Sequence, residues 1–432
     1  MRKNHRRSFR RLAPILVIVS LIACSTSPDQ DSPDDPTRYY LFAPLDNTVT
    51  LLMDETGLSI FEWECQLKPG NSVYLLENGQ LLHTGNPGPG AINAGGAGGI
   101  VREFSPDGSI AWEFTYMSPM VRLHHDIERL PNGNILMIAW EKKSAAEAVA
   151  AGRNPDLLNE GELWADHIIE VNPASNEIVW SWHLWDHLIQ DHDSGKLNFG
   201  VVGEHPELVD LNYTGGSANA PADWTHINGI DYHEEWDQII VSVHTFCEFW
   251  IIDHSMSEAE AAGHEGGTYG KGGDLLYRWG NPAAYRTGDE ADQQLFRQHD
   301  AQWIEEGLPG EGNILVFNNG RGRPGGDWSS IEEILAPVDV GGFYDEPESG
   351  EPFGPEAPVW TFTAENPQDF YSDHISGCQR LPGGNTLICD GPGGYFFEVR
   401  PDGQVVWDYL CPGGQVFRVN SLASSYSGLP EF

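Results

Sequence analysis

The sequence predicts an all-β protein: a six-bladed β-propeller of four-stranded antiparallel blades, closed by joining N- and C-terminal strands. Three observations carry that expectation. A unit of strand grammar recurs. "HHDIERLPNGNILMIAW", continued after an insert by "DHIIEVNPASNEIVWSW", has its counterpart in "DHISGCQRLPGGNTLICDGPGGYFFEVRPDGQVVWDY". Pro, Gly and Asn recur where hairpins need turns. The two chain ends are each part of a unit, and each supplies what the other lacks.

The N-terminus reads as an address. Arg2, Lys3, Arg6, Arg7, Arg10 and Arg11 precede "LAPILVIVSLIA", which is too short to span a bilayer comfortably as a permanent helix. Leu21-Ile22-Ala23-Cys24 looks like a bacterial lipobox, and cleavage there would leave Cys24 as a lipid-bearing N-terminus. Residues 1–24 are therefore expected to be a lipoprotein signal peptide. "RRSF" at Arg6–Phe9 resembles a twin-arginine export core, so Sec and twin-arginine routes both stay open. Residues 25–37, "STSPDQDSPDDPT", read as a disordered tether, and residues 38–432 as the propeller domain. The expected location is the bacterial cell envelope, lipid-anchored on the periplasmic side or at the surface of the outer membrane.

Five units follow, starting near Ser72, His124, His226, His299 and His374. Each opens on a polar residue, often histidine, then runs through a turn to an Asn-Ile-Leu or Asn-Thr-Leu strand. "YYLFAPLDNTVTLLMDETGLSIFEWE" supplies later strands of a sixth unit and "GQVFRVNSLA" its first. Two inserts interrupt the pattern. "EKKSAAEAVAAGR" has helix-forming residues, and the stretch from His183 to Trp224 is a long loop. The tryptophans of "IVWSW", "VVWDY" and "IAWEF" are expected in blade cores.

The formal net charge is −40, and the six basic residues of the signal make the remainder more acidic still. That excludes nucleic acid as a partner. An anionic substrate would need a local cationic pocket, because the global field opposes it. Cys378 and Cys389 flank "QRLPGGNTLI", and a turn at Pro382–Asn385 would set them opposite each other as a cross-strand disulfide. Cys65 and Cys411 form a second candidate pair, leaving Cys247 over. No cysteine spacing resembles a zinc site.

In a propeller the first strand of every blade lines the central channel. His124 or His125, His226, His299 and His374 then converge on one mouth, with Arg418 on the sixth inner strand. Three chemistries fit such a ring: metal binding by neutral imidazoles, anion binding, or one nucleophilic histidine with the others clamping a charged group. "WDHLIQDHD" carries metal-capable side chains at Asp186, His187, Asp191, His192 and Asp193, and reads as a solvated acidic loop. "GGAGG" at Gly95–Gly99 is no phosphate loop, since no helix pattern follows it.

"HHDIERLPNGNIL", "DWTHINGIDYHEEWDQIIVS", "IIDHS", "QHDAQW" and "GEGNILVFNNG" resemble the bacterial arylsulfate sulfotransferases, in order and spacing, from about Tyr39 to Leu429. The resemblance implies an exported six-bladed propeller. It implies transfer of a sulfuryl group from a phenolic sulfate ester to a phenol, without the nucleotide donor PAPS and without a cofactor or metal. A histidine is transiently sulfated. His299 of "QHD" matches that nucleophile. His125 of "HHD" matches a channel histidine that binds or protonates, with His124 beside it. His226 and Asn228 of "THIN" match a second binding pair. The family often carries arginine where this chain has His244. A histidine neutralises sulfuryl oxygens only when protonated, so Arg321, Arg323 or Arg418 would have to substitute. His374 completes the expected binding set. The expected partners are an aryl sulfate, a phenol and the membrane; a homodimer is left open. The His244 departure also motivates a different class of function, a non-catalytic ligand-binding or assembly propeller.

Overall fold

The structure, a computed structural model, describes residues 37–217, 220–348 and 350–430. The expected signal peptide, the lipobox Cys24 and the tether up to residue 36 lie outside the described residues.

Six four-stranded antiparallel sheets form the blades of a propeller. Blade 1 is closed from both chain ends: Val416–Ala423 is its inner strand, and Arg38–Pro44, Val49–Asp54 and Ser59–Glu64 lie successively outside it. Blades 2 to 6 start with the inner strands Lys68–Leu75, Val121–Arg129, Ile227–His233, His299–Trp303 and Gly377–Arg380, each followed by its three outer strands in sequence order. Neighbouring inner strands touch one another around a closed ring. All six run in the same sense, so residues early in each strand share one end of the channel.

The blades form because strands buried on both faces alternate with strands that face water. The second strand of blade 4, Gln238–Val243, is buried at every position. The outermost strand of blade 6, Val405–Leu410, has no buried residue. Trp180 and Trp182 are core residues, but Trp112 and Trp407 sit half-exposed on outer strands and cover the edge of the neighbouring blade. Trp407 stacks on Tyr40 of blade 1 with centroids 4.4 Å apart.

The inner strands are irregular where function is expected. Blades 3, 4 and 5 carry register shifts between Leu123 and Ile127, between Ile227 and Gly229, and between His299 and Gln302. In each, the inner strand holds more residues than its partner. Such bulges re-aim a side chain out of the pleat. His125 (φ 52°), His226 (φ 55°) and Asp300 (φ 59°) adopt the left-handed conformation there.

Both inserts carry local structure among the described residues. Ala145–Ala151 is a helix, capped by Ser144 in a capping box with Glu147. The stretch after His183 is not an open loop. Leu188–Ile189 pairs in parallel with Val209–Asp210, and Arg286 holds Asp210 at 2.9 Å.

The disulfides expected from the sequence do not form. Cys65, Cys247, Cys378, Cys389 and Cys411 are all free and buried. The hairpin pairs Gly377 with Cys389 and Cys378 with Ile388. The turn therefore offsets the two cysteines by one residue, which sends them to opposite faces of the sheet. Cys378 packs toward blade 5 and Cys389 toward blade 1. Cys65 and Cys411 belong to separate clusters.

Candidate functional site

Four imidazoles meet where the inner strands begin. Ring centroids are 4.6 Å apart for His125 and His226, 5.1 Å for His226 and His244, and 5.5 Å for His244 and His299. Three blades contribute. His125 comes from the bulge of blade 3, His299 opens blade 5, and His226 and His244 flank the first hairpin of blade 4. The backbone N–H of His244 donates to the His226 carbonyl at 3.2 Å, which brings the second pair together.

The four rings are not electrostatically alike. Burial depresses His299 to about 3, against an opposing hydrogen bond from Asn319 and with the support of positive charge at His226 and His374. Burial likewise holds His125 and His244 well below the ordinary histidine value, helped by their neighbours, His226 first. His226 goes the other way. Burial pulls it down, but the Asp223 carboxylate, 2.5 Å from Nδ1, outweighs that and raises it. His226 is thus the ring of the four that holds a proton most readily.

The tautomer of His299 follows from its partner. Asn319 Nδ2 donates to the carbonyls of Ser372 at 2.9 Å and Ile375 at 3.0 Å. Its Oδ1 must then face His299 Nδ1, 2.7 Å away, and can only accept. The proton of His299 is fixed on Nδ1, and Nε2 is left with a lone pair.

The His-Asp pairs have a division of labour. Asp300 turns away from the rings. It accepts from the Cys378 N–H of blade 6 at 2.8 Å and pairs with Arg418 at 2.8 Å. Gly377 permits that approach, since a Cβ there would lie 2.5 Å from Asp300 Oδ2. Asp126 repeats the arrangement: it accepts from the Ile230 N–H of blade 4 at 3.3 Å and pairs with Arg418 at 2.8 Å. The histidine of each motif serves the mouth, and the aspartate ties one blade to the next.

A family model described as Arylsulfotransferase (ASST) matches residues 29–332, more than half of the chain. The chain belongs to the arylsulfotransferase family. A comparison with curated proteins returned no match. Among solved structures, a protein of unknown function from Bacteroides caccae is 12% identical, with 89% of this chain and 99% of that chain covered and a TM-score of 0.49. A putative 6-phosphogluconolactonase from Bacteroides fragilis is 10% identical, with 90% and 99% covered and a TM-score of 0.42. An inactive virginiamycin B lyase variant from Staphylococcus aureus, solved with quinupristin, is 10% identical, with 88% and 86% covered and a TM-score of 0.41.

Several expected ligand-binding residues are engaged elsewhere in this arylsulfotransferase family member. His124 is enclosed. It stacks on Trp140 with centroids 3.9 Å apart, contacts His125 Nδ1 at 2.9 Å and lies 2.8 Å from Asp166, in poor alignment for a hydrogen bond. It is buried and backs His125. Asn228 is fully buried and donates to the Gln298 carbonyl at 2.9 Å, steadying the residue before His299. Arg418 is spent on Asp126, Asp300 and the Tyr74 hydroxyl. Arg323 lies over the Trp328 ring at 3.7 Å and pairs with Glu332. His374 is half-exposed and contacts Asp373 at 2.5 Å. Arg321 is exposed at the rim, close enough for its charge to bear on His244.

Arg297 is a cation near His226 and His244. Its guanidinium donates to the Thr245 carbonyl at 3.3 Å and the Gly215 carbonyl at 3.0 Å, and its charge bears on both His226 and His244. The sequence reading passed over it, though it stands two residues before His299. Gly96 was also passed over. Its carbonyl accepts from the His125 N–H at 2.8 Å, and a Cβ there would lie 2.1 Å from the His125 ring. That is the use of "GGAGG": a glycine turn laid flat on an imidazole.

Proposed function

We propose that the protein transfers a sulfuryl group from an aryl sulfate to a phenol through a sulfohistidine at His299. The family supports sulfotransferase chemistry in general. The observation that carries the finer reading is the Asn319 lock, which leaves His299 Nε2 unprotonated in the same cluster as His226, whose protonated form Asp223 favours. His299 Nε2 attacks sulfur as the bond from sulfur to the aryl oxygen breaks. The His226 imidazolium donates its proton to the departing phenolate. In the second half-reaction neutral His226 takes the proton of the acceptor phenol, whose oxygen displaces His299 from sulfur. Arg297 and the His226 cation hold the negative charge on the sulfuryl oxygens, the service that an arginine in place of His244 would give. No metal or nucleotide enters these steps.

Two half-reactions predict ping-pong kinetics. With 4-nitrophenyl sulfate and no acceptor, the chain should gain one SO3 by intact mass, mapped to His299, with release of one nitrophenolate per site. His299→Ala should abolish both. Full turnover in that variant rejects the reading. Export and lipid anchoring belong to the same proposal. They rest on the arginine-rich apolar N-terminus and Cys24, and metabolic labelling with a fatty acid, lost in Cys24→Ala, tests them.

A further inference from the structure

The long insert that interrupts the blade repeat brings a second histidine cluster to the outer side of blade 4. His187 lies in the insert, His264 follows the short helix Glu258–Ala261, and Asp274 precedes the outermost strand Leu275–Trp279. The Nδ1 atoms of both histidines lie 2.8 Å from the same oxygen, Asp274 Oδ1. One ligand atom from each of the three residues falls within a 4.8 Å span. The sequence reading took "WDHLIQDHD" for a solvated loop; His187 is instead fully buried.

The proton of His187 is fixed by its other nitrogen. Nε2 lies 2.9 Å from the Ala261 carbonyl, which can only accept, so Nε2 carries a hydrogen. A neutral His187 would then aim its Nδ1 lone pair at a carboxylate oxygen. That arrangement is repulsive unless a cation, either a proton or a metal ion, sits between them. Protein metal sites use this device: a backbone carbonyl holds the far nitrogen and turns the near one to the ion. The ring cannot rotate out of it. It stacks parallel to Trp182, whose Nε1–H donates to the Gly273 carbonyl at 2.7 Å. A Cβ on Gly273 would lie 2.5 Å from His187 Nε2, so the backbone closes the other side.

We propose that His187, His264 and Asp274 bind one zinc ion, which fastens the insert to blade 4. Two imidazoles and one carboxylate suit zinc, and disfavour calcium and magnesium, which take oxygen ligands. A tetrahedral zinc with bonds of about 2.0–2.1 Å needs its ligands roughly 3.3 Å apart. Both 2.8 Å contacts to Asp274 Oδ1 must open by a few tenths of an ångström, which a turn of the Asp274 carboxylate away from His187 and an outward swing of His264, whose side chain is 58% exposed, together provide. The same exposure gives the ion a route in and leaves room for water as fourth ligand. The role is structural: the three ligands tie together three segments that the sheet pattern does not connect.

The test uses the purified chain, stripped by a chelator and titrated with zinc or with cobalt(II) as a spectroscopic probe. The expected result is uptake of one ion per chain, visible cobalt bands of tetrahedral intensity, and a higher Tm. His264→Ala, an exposed change that leaves the fold intact, should weaken that uptake by more than about 100-fold and remove the rise in Tm. Asp274→Asn should do the same. The four imidazoles at the channel mouth are an internal control, because His264→Ala does not touch them. Uptake that persists unchanged in His264→Ala would place the ion there and overturn the proposal. No uptake of either metal by the wild-type chain would overturn it too, and would leave the three residues as a hydrogen-bonded triad.

Discussion

The six inner strands carry opposite chemistry at their two ends. Their early ends present imidazoles, with the Arg297 and Arg321 cations on neighbouring loops. Their later residues present carboxylates. Glu128 and Asp231 line a cavity of about 430 Å³ there, together with Gln302 and Gln379, and Asp300 reaches it from the middle layer. Burial raises Asp300 to about 6 and Asp231 to about 7, and raises Glu128 well above the ordinary glutamate value. Between the ends, Arg418 is neutralised by Asp126 and Asp300. The contrast teaches where an anion can go. In a chain of formal charge −40, the carboxyl-lined end offers an aryl sulfate only arginines already paired with carboxylates, Arg38 with Glu398, Arg380 with Glu333 and Arg418 with Asp126 and Asp300. Only the histidine end combines buried imidazoles with uncompensated positive charge. That cavity lies at the wrong end for this chemistry.

The strongest way to break that comparison is to remove one group from each end. His299→Ala should lower sulfuryl transfer by at least about 10⁴-fold, the scale on which loss of a nucleophile is felt. Glu128→Gln should leave transfer within a few-fold of wild type. Equal losses would erase the distinction between the ends. The middle layer answers in stability instead. Arg418→Met strands Asp126 and Asp300 as unpaired buried carboxylates, at a cost of about 3–5 kcal/mol, read as a fall in Tm. Arg297→Met should do the reverse: little change in Tm, and a loss of about 10- to 100-fold in transfer, because its hydrogen bonds go to loop carbonyls while its charge serves the mouth.

The blades were legible because their signals are local. Turn residues at fixed offsets and alternation along strands sufficed to count six and to join the chain ends. His125, His226 and His299 were legible for the same reason, since each stands near the start of a unit. What escaped depends on partners in other elements or on single-residue register. Asn319, 20 positions after His299, holds its tautomer, yet the adjacent Asn318 is chemically identical and instead holds the Phe296 N–H. Which of the two faces the site is decided by strand alternation around a bulge. The cysteine pairing failed on one residue of hairpin register. Arg418 looked available because the sequence showed its strand and not the two aspartates contributed by other blades. His187 looked solvated because a polar loop gives no sign of the Trp182 ring that buries it.

The charge at the histidine end can be sharpened through Asp223. His226 is raised by that carboxylate, so it keeps its proton to higher pH than an ordinary histidine and loses it as pH rises through the raised value. His299, depressed to about 3, is neutral throughout that range. Transfer should therefore be flat below the raised value of His226 and fall as pH rises through it. Asp223→Asn removes the anion but keeps a hydrogen-bond acceptor. It should move the alkaline limb down by about one pH unit. A limb that stays in place would take the acid role away from His226.

The smallest effect belongs to the acidic end, and it concerns stability alone. Asp231 accepts from the Trp303 N–H at 2.8 Å, which ties blade 4 to blade 5. Burial raises it to about 7, with Glu305 and Asp300 adding to the rise and the Trp303 and Tyr232 N–H bonds opposing it. Its folded value stands above the unfolded one of about 3.9. The folded chain thus holds the extra proton, and the stabilisation is fully present below about pH 4 and lost as pH rises through about 7. Asp231→Asn keeps an oxygen for Trp303 and removes the charge from beside its acidic neighbours. The variant should match wild type at pH 4 and exceed it by on the order of 1 kcal/mol at pH 8, discounted for the water that reaches this cavity. Denaturant melts at the two pH values measure it. A variant less stable than wild type at pH 8 would mean that the ionised carboxylate strengthens the Trp303 tie by more than its neighbours repel it, and the acidic end would then be held together by the charges that appear to strain it.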